Sequence, residues 1–337
     1  MSFVKGLKHV AATVTALATA AGLLTVGAGV ASAGPRDWLR PDATGTCEWD
    51  AAGHWVQRCD VWSPATGKNI SVQIQPAARG GNAGLYLLDG LRATDISSAW
   101  LVDTNAAAKF VNNNITLIMP VGGESSFYTD WETPATYDLK DPVTYKWETF
   151  LTKELPVYLE QNFGVARNNN SVAGLSMGGT AAMNLAAHHR DQFRQVLSFS
   201  GYLTTTLPGM QTMVRAALLD AGGFNVNAMY GSIFSPRRFQ NDPFLNMGNL
   251  RGADIYVSAA SGTAGPGEAG RGAGLLAGGA VLEVFSNAST KLWALKAKAS
   301  GLQITEDYLP VGQHNWALFS TQLDRAHDRI LDVMNAW

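Results

Sequence analysis

The sequence is poor in charge and almost without cysteine. Only 15 % of its 337 residues are Asp, Glu, Lys or Arg, the formal net charge is −2, and the basic residues form no long run. A chain with no positive field cannot hold a phosphate backbone or an anionic membrane surface, so nucleic-acid binding is excluded as a main role. Two cysteines cannot build a structural zinc site by themselves, and His54 near them is not at ligand spacing. No metal or cofactor is implied. Internal repeats are also missing, while 46 % hydrophobic residues suffice for one large core.

What is present begins with Lys5 and Lys8, followed by an uncharged Ala, Thr, Val, Leu and Gly stretch that ends in Ala31-Ser32-Ala33. That pattern reads as a secretory signal peptide over residues 1–33, leaving 34–337 as a single domain. The stretch is just long enough to cross a bilayer, which makes a retained anchor the alternative. Its weak apolarity favours cleavage. Export would place Cys47 and Cys59 in an oxidising compartment, where a pair this close reads as one disulfide closing a short loop.

After a polar, Trp-containing lead-in from Pro35 to Pro64, apolar runs alternate with helical patterns. Residues 70–74 alternate as a half-buried strand does, and 84–90 and 115–120 are short runs ended by turn residues, as in central parallel strands. Trp147, Phe150, Leu151, Leu155, Tyr158 and Leu159 share one helical face, which Pro156 should interrupt. A strand near 171–173, a small-residue helix from Gly178 to about Ala187, strands at 196–199, 255–259 and 302–308, and a closing amphipathic helix complete the order. Strand and helix alternate, which implies an α/β domain with a mostly parallel sheet covered on both faces. Residues 202–250 read as a helical insertion over the site, and the Gly/Ala-rich 262–279 as a loop.

The sharpest motif is Gly174-Leu175-Ser176-Met177-Gly178, a G-x-S-x-G element between a predicted strand and a predicted helix. In that context it is a nucleophile elbow, tight enough to require small neighbours such as Gly179 as well, with Ser176 presented at the helix N-terminus. A serine hydroxyl needs a base oriented by an acid, in the chain order Ser, acid, His. His9 lies in the signal, His54 precedes the sheet, His188 and His189 read as a solvated helix end, and His327 lies inside the last helix. His314, between the last strand and that helix, remains as the base. For the acid, topology leaves Glu268, Glu283, Glu306 and Asp307; the last two read as solvent-facing strand residues. Glu268 and Glu283 stay rivals on these grounds.

Longer words carry a resemblance. Leu87-Leu88-Asp89-Gly90-Leu91-Arg92-Ala93, Met119-Pro120-Val121-Gly122-Gly123, Ser125-Ser126-Phe127-Tyr128 with Asp130-Trp131, Tyr145 to Leu151 and Asn241-Asp242-Pro243 resemble the antigen 85 mycolyltransferases, from Leu85 to the C-terminal helix. The resemblance implies an α/β-hydrolase fold and, through Leu282-Glu283 ahead of His314-Asn315-Trp316, Glu283 as the acid. It also implies an oxyanion hole from the backbone N–H groups of Leu91 and Met177, and a sugar site at Asp89, Arg92 and Trp316. The implied reaction is transfer of a mycoloyl group from trehalose monomycolate to trehalose or a wall sugar such as arabinogalactan, by a secreted, envelope-associated enzyme without a retained membrane helix. Gly178-Gly179, the N-terminal cysteine pair, the short segment before His314 and the Gly-rich loop depart from the family pattern. Two other readings use the same chain: a secreted carboxylesterase with water as acceptor, and a non-catalytic wall or matrix-binding protein.

Export with cleavage predicts a secreted chain that starts at about Gly34 and contains no free thiol. Intact mass, with and without alkylation under denaturing conditions, checks both; an uncleaved chain or two alkylated cysteines would contradict them.

Overall fold

The computed structural model describes residues 34–42, 45–137, 140 and 142–337, so the expected signal peptide lies outside the described residues. The strands are β1 (Cys47–Trp49), β2 (Gln57–Ser63), β3 (Lys68–Gln75), β4 (Ala83–Leu88), β5 (Ile115–Pro120), β6 (Asn170–Leu175), β7 (Phe193–Phe199), β8 (Asp254–Ala260) and β9 (Thr305–Leu309). They form one sheet in the order β1-β2-β3-β5-β4-β6-β7-β8-β9. The pairs from β5 to β9 are parallel, while β1, β2 and β3 join antiparallel at one side. This is the α/β-hydrolase arrangement expected from the alternation of strand and helix, with the chain reversing direction of growth at β4. Such a switch point opens a crevice at the carboxyl ends of the strands, where ligands bind in open α/β sheets.

Alternation along the central strands fills two cores. Leu85, Leu87, Leu117, Met119, Ala173, Leu175, Leu197 and Phe199 face one way. There they meet α1 (Ala99–Val102) and α2 (Ala106–Phe110) through Trp100 and Phe110, and α11 (Trp316–Met334) through Leu323, Ile330 and Met334. Tyr86, Leu88, Ile118, Val172, Val196 and Val257 face the other way. They meet α3 (Trp147–Thr149), α4 (Leu155–Phe163), α5 (Met177–His188) and the later half of α10 (Ala273–Ala299). Fully burying a Leu, Val or Phe contributes about 1.5–3 kcal/mol, so these two layers hold the sheet rigid beneath the crevice. Pro156 interrupts its helix as expected: lacking an N–H for the carbonyl four residues back, it follows a π-helical turn, Phe150–Glu154, that joins α3 to α4.

The insertion is helical as read, with α6 (Met210–Gly222), α7 (Val226–Tyr230), α8 (Pro236–Gln240) and α9 (Pro243–Asn246) around a small core of Trp131, Leu218, Phe224 and Met229. Four expectations are corrected. The lead-in contains β1 and β2, concealed because β2 turns Gln57, Cys59, Val61 and Ser63 inward and thereby buries polar residues. The Gly/Ala-rich loop ends at Gly272, after which residues 273–279 form the first turns of α10. Their glycines cost about 1 kcal/mol each in a helix, but the 27-residue helix is held by its docked later turns. His188 and His189 are not simply solvated: Glu148 of α3 accepts from His189 Nε2 at 2.8 Å and lies 3.4 Å from His188 Nδ1. Asp307 likewise bonds Arg325 and Tyr256, and Glu306 pairs with Lys298. The disulfide joins Cys47 and Cys59, which face each other across β1 and β2.

Burial pushes the Glu148 carboxyl up, but the hydrogen bonds and charges of His188 and His189 outweigh it and leave its pKa at about 2. His188 is raised in turn, chiefly by its hydrogen bond to Glu148. A depressed carboxylate stabilises the fold above its unfolded pKa and loses that contribution as pH falls through the folded value; the raised histidine loses its share as pH rises through its own. Glu148→Gln should therefore lower the unfolding midpoint in urea at pH 6, with the gap to the unmodified chain closing as pH falls from about 4.5 toward 2. An equal gap at both ends of that range would contradict this assignment.

Candidate active site

Ser176 sits at the end of β6 with φ 52° and ψ −119°, outside the ordinary regions for a side-chain-bearing residue. Such strain costs about 1–3 kcal/mol and persists only where the surroundings enforce it. Here they do. The turn is so tight that a Cβ on Gly174 would lie 2.3 Å from the Gly178 carbonyl group, and one on Gly178 would lie 2.5 Å from the Leu88 and Asp89 carbonyl oxygens. The same close approach docks the start of α5 on the end of β4. It brings the turn of Asp89, Gly90 and Leu91 beside the serine. The Ser176 N–H donates to the Phe199 carbonyl at 2.9 Å, tying the elbow to β7.

His314 reaches the serine from the turn between β9 and α11. Its Nε2 is 2.8 Å from Ser176 Oγ and its Nδ1 is 2.8 Å from Glu283 Oε2. The ring is 8 % exposed and packs against Tyr202 and Phe319. Glu283, on α10, has no exposed surface, and its second oxygen accepts from the Ser200 hydroxyl at 2.8 Å and the Ala260 amide at 2.6 Å. Behind it, Gln322 Nε2 of α11 donates to the hydroxyls of Ser200 and Ser258, both at 3.1 Å. Of the two rival carboxylates, Glu283 is the one bonded to the imidazole. Ser200, Ala260 and Gln322 were not among the sequence-derived site residues, since no local motif marks them.

Glu268 lies beside the base without touching the imidazole. It is 4 % exposed and accepts from Asn315 Nδ2 and from the amides of Gly265 and Gln313. Burial pushes its pKa up, but those hydrogen bonds outweigh burial and hold it below the usual value.

Met177 is the first residue of α5, so its N–H belongs to the first-turn donors that a helix leaves unpaired. Leu91 lies in the adjacent turn, where its carbonyl accepts from the Ser125 amide at 2.8 Å. Asp89 is placed differently from the sugar contact expected of it. It is 1 % exposed, and its carboxylate accepts from the Ser98 hydroxyl at 3.3 Å and the Ala99 amide at 2.9 Å. Burial raises its pKa to about 7 against the pull of those bonds. In this geometry it braces the turn that carries Leu91. Arg92 is open, with 61 % of its side chain exposed, and pairs with Asp220 of α6 at 2.6 Å. Trp316 is half-buried, edge-on to Trp100 and Phe319. Among the described residues no group of His, Cys, Asp and Glu could hold a metal ion, and no helix is long and apolar enough to cross a membrane.

The assembled hydroxyl, imidazole and carboxylate can do nucleophilic acyl chemistry: base activation of Ser176, then proton return to the leaving group. Ser176→Ala and His314→Ala should each remove nearly all turnover of an activated ester while the fold survives, because the members act as one unit. Glu283→Gln should cost on the order of a hundredfold or more in kcat. Esterase assays with circular dichroism check this; a mild Glu283→Gln beside a crippling Glu268→Gln would reverse the assignment of the acid.

Comparisons with known proteins agree with this geometry. A family model described as "Putative esterase" matches residues 63–330. The Ag85B diacylglycerol acyltransferase/mycolyltransferase of Mycolicibacterium smegmatis is 36 % identical over 333 residues, covering 96 % of each chain. The Ag85B protein of Mycobacterium avium is 38 % identical over 270 residues, 80 % of each. Among solved structures, MPT51 of Mycobacterium tuberculosis superposes with a TM-score of 0.72 at 26 % identity, covering 83 % of this chain and 98 % of its own. The Staphylococcus aureus serine hydrolase FphF shares the fold, with a TM-score of 0.64 at 14 % identity over 85 % of this chain and 98 % of its own. With its elbow, its relay and these relatives, the chain belongs to the esterase family and, within it, to the antigen 85 mycolyltransferases.

Proposed function

We propose that the protein is a secreted acyltransferase that moves a mycoloyl group from trehalose monomycolate to trehalose or a wall sugar through an acyl-Ser176 intermediate. The observation that carries this reading is the unbroken relay from Ser176 Oγ to His314 and Glu283, at 2.8 Å for each step, in a chain of the antigen 85 family. His314 Nε2 takes the serine proton as Oγ attacks the ester carbonyl. The negative oxygen of the tetrahedral intermediate is held by the N–H groups of Leu91 and Met177. Collapse breaks the bond to the sugar oxygen, which leaves with the proton from His314. An acceptor hydroxyl then repeats the steps in reverse order, and Ser176 is restored.

A sugar acceptor suits the surroundings. A polar cleft of about 770 Å³, lined by Asp95, Glu124 and Tyr145 among others, adjoins the turn after β4 through Arg92 and Ala93 and does not include Ser176 or His314 in its walls. Arg92 stands at its edge, and Trp316 lies two residues beyond the base. Asp89 supports the sugar site from beneath, through the turn that presents Leu91 and Arg92. A binding module without catalysis has no use for a fully buried Glu283 bonded to the base, which weighs against that alternative.

Transfer outruns hydrolysis only if the bound acceptor has a large effective concentration, and well-oriented neighbours reach about 10⁵ M or more. Trehalose monomycolate supplied with excess labelled trehalose should therefore exchange its sugar faster than it releases free mycolic acid, and Arg92→Ala should lower exchange more than it lowers hydrolysis of a small activated ester. Thin-layer and scintillation analysis of products checks this. Predominant free acid, insensitive to added sugar, would mark the protein as a carboxylesterase.

A further inference from the structure

The residues on either side of His314 are both held by Glu268. Its Oε1 accepts from the Gln313 amide at 3.3 Å and from Asn315 Nδ2 at 2.7 Å, and its Oε2 accepts from the Gly265 amide at 2.7 Å. Asn315 is fixed at its other end too, since its Oδ1 accepts from the Ala317 and Leu318 amides at the start of α11. Gln313 Nε2 reaches the Gly262 carbonyl at 3.3 Å, and the His314 amide donates to the Gly279 carbonyl at 3.1 Å. These bonds secure the backbone and leave both imidazole nitrogens to Ser176 and Glu283.

We propose that Glu268 is a positioning residue for the general base, fixing residues 313–315 so that the imidazole stays in line with both Ser176 and Glu283. The chemistry requires a carboxylate. Three N–H donors converge on two oxygens, and an ionised carboxyl group accepts from all of them, whereas a carboxamide turns a donor toward at least one. The other ties hold residues 313, 314 and 315 one at a time, whereas Glu268 joins the two residues that flank the base to each other, and a misplacement of about 1 Å can cost on the order of a hundredfold in rate. The proposal rests on the Ser176, His314 and Glu283 relay and is independent of which acceptor takes the acyl group.

The test compares Glu268→Gln, Asn315→Asp, their combination and Glu283→Gln in the full mature chain. It uses hydrolysis of a short-chain p-nitrophenyl ester, thermal unfolding, and the far-downfield proton resonance of His314 Nδ1–H. Glu268→Gln should lower kcat about tenfold or more with KM within about twofold, and should shift or broaden the resonance although Glu283 is intact. Asn315→Asp keeps the oxygen that caps α11 but replaces the donor to Glu268 with a like charge, so it should produce a similar fall and carries the test if Glu268→Gln does not fold. The combination restores the 268–315 hydrogen bond with donor and acceptor exchanged but leaves the Gln313 amide without its acceptor, so it should recover part of the loss. An unchanged kcat and resonance in Glu268→Gln would reduce Glu268 to a cap on the 266–268 turn. A resonance lost in Glu268→Gln but kept in Glu283→Gln would make Glu268 the acid itself. Impaired single variants with no recovery in combination would equally overturn the proposal. An unmodified chain that neither hydrolyses the ester nor labels at Ser176 would instead defeat the catalytic reading on which the proposal stands.

Discussion

The rest of the site depends on one buried carboxylate. Taking a carboxylate wholly out of water costs several kcal/mol unless hydrogen bonds or charge replace the lost hydration, and Glu283 has no exposed surface. Its replacements come from separate parts of the chain: His314 from the turn before α11, Ser200 from the end of β7 and Ala260 from the end of β8. The need to satisfy Glu283 therefore fixes where those elements end relative to α10. Once they are fixed, the second nitrogen of His314 has one place to go, at the hydroxyl of Ser176. Stability and catalysis draw on the same bonds at this point.

The second constraint is mechanical. The elbow holds Ser176 in a left-handed conformation because α5 is packed directly on the end of β4, with no room for side chains at Gly174 or Gly178. That contact also sets the Asp89 to Leu91 turn against the helix N-terminus, the placement that the proposed oxyanion hole of Leu91 and Met177 needs, with donors in position before charge appears. The buried Asp89 carboxylate, taken up by Ser98 and Ala99, holds the turn from behind. Arg92 then lies at the edge of a rigid frame, with the helical insertion reaching over to it through Asp220.

The sequence made the elbow legible because glycines at that spacing between a strand and a helix have a single steric use. His314 was legible by position, being the histidine that falls between the last strand and the last helix. Glu283 was not legible from local pattern, and the physical reason is visible: α10 is inverted there, with Leu282, Val284 and Phe285 turned outward and the acid turned in. Only the longer family words singled it out. Glu268 was a rival by topology, and it does lie beside His314, bonded to the Gln313 amide and the Asn315 side chain on either side of it and not to the ring. β1 and β2 escaped notice because their inward residues include Gln57 and Ser63, and the start of α10 because its glycines resemble a loop. Single-sequence reading finds residues whose local chemistry is unusual; it misses polar residues whose partners lie far along the chain, as Ser200 and Gln322 do.

The central claim is that Ser176 carries the acyl group between two sugars, and trapping that intermediate tests it most directly. The protein would be mixed with a trehalose monoester, quenched in acid and digested, and the peptide containing Ser176 weighed. The mass of that peptide should rise by that of the fatty acid minus one water, the adduct should vanish on a chase with free trehalose as the monoester reappears, and no adduct should form in His314→Ala. An unmodified Ser176 peptide during turnover, or an acyl group found on another residue, would contradict the account.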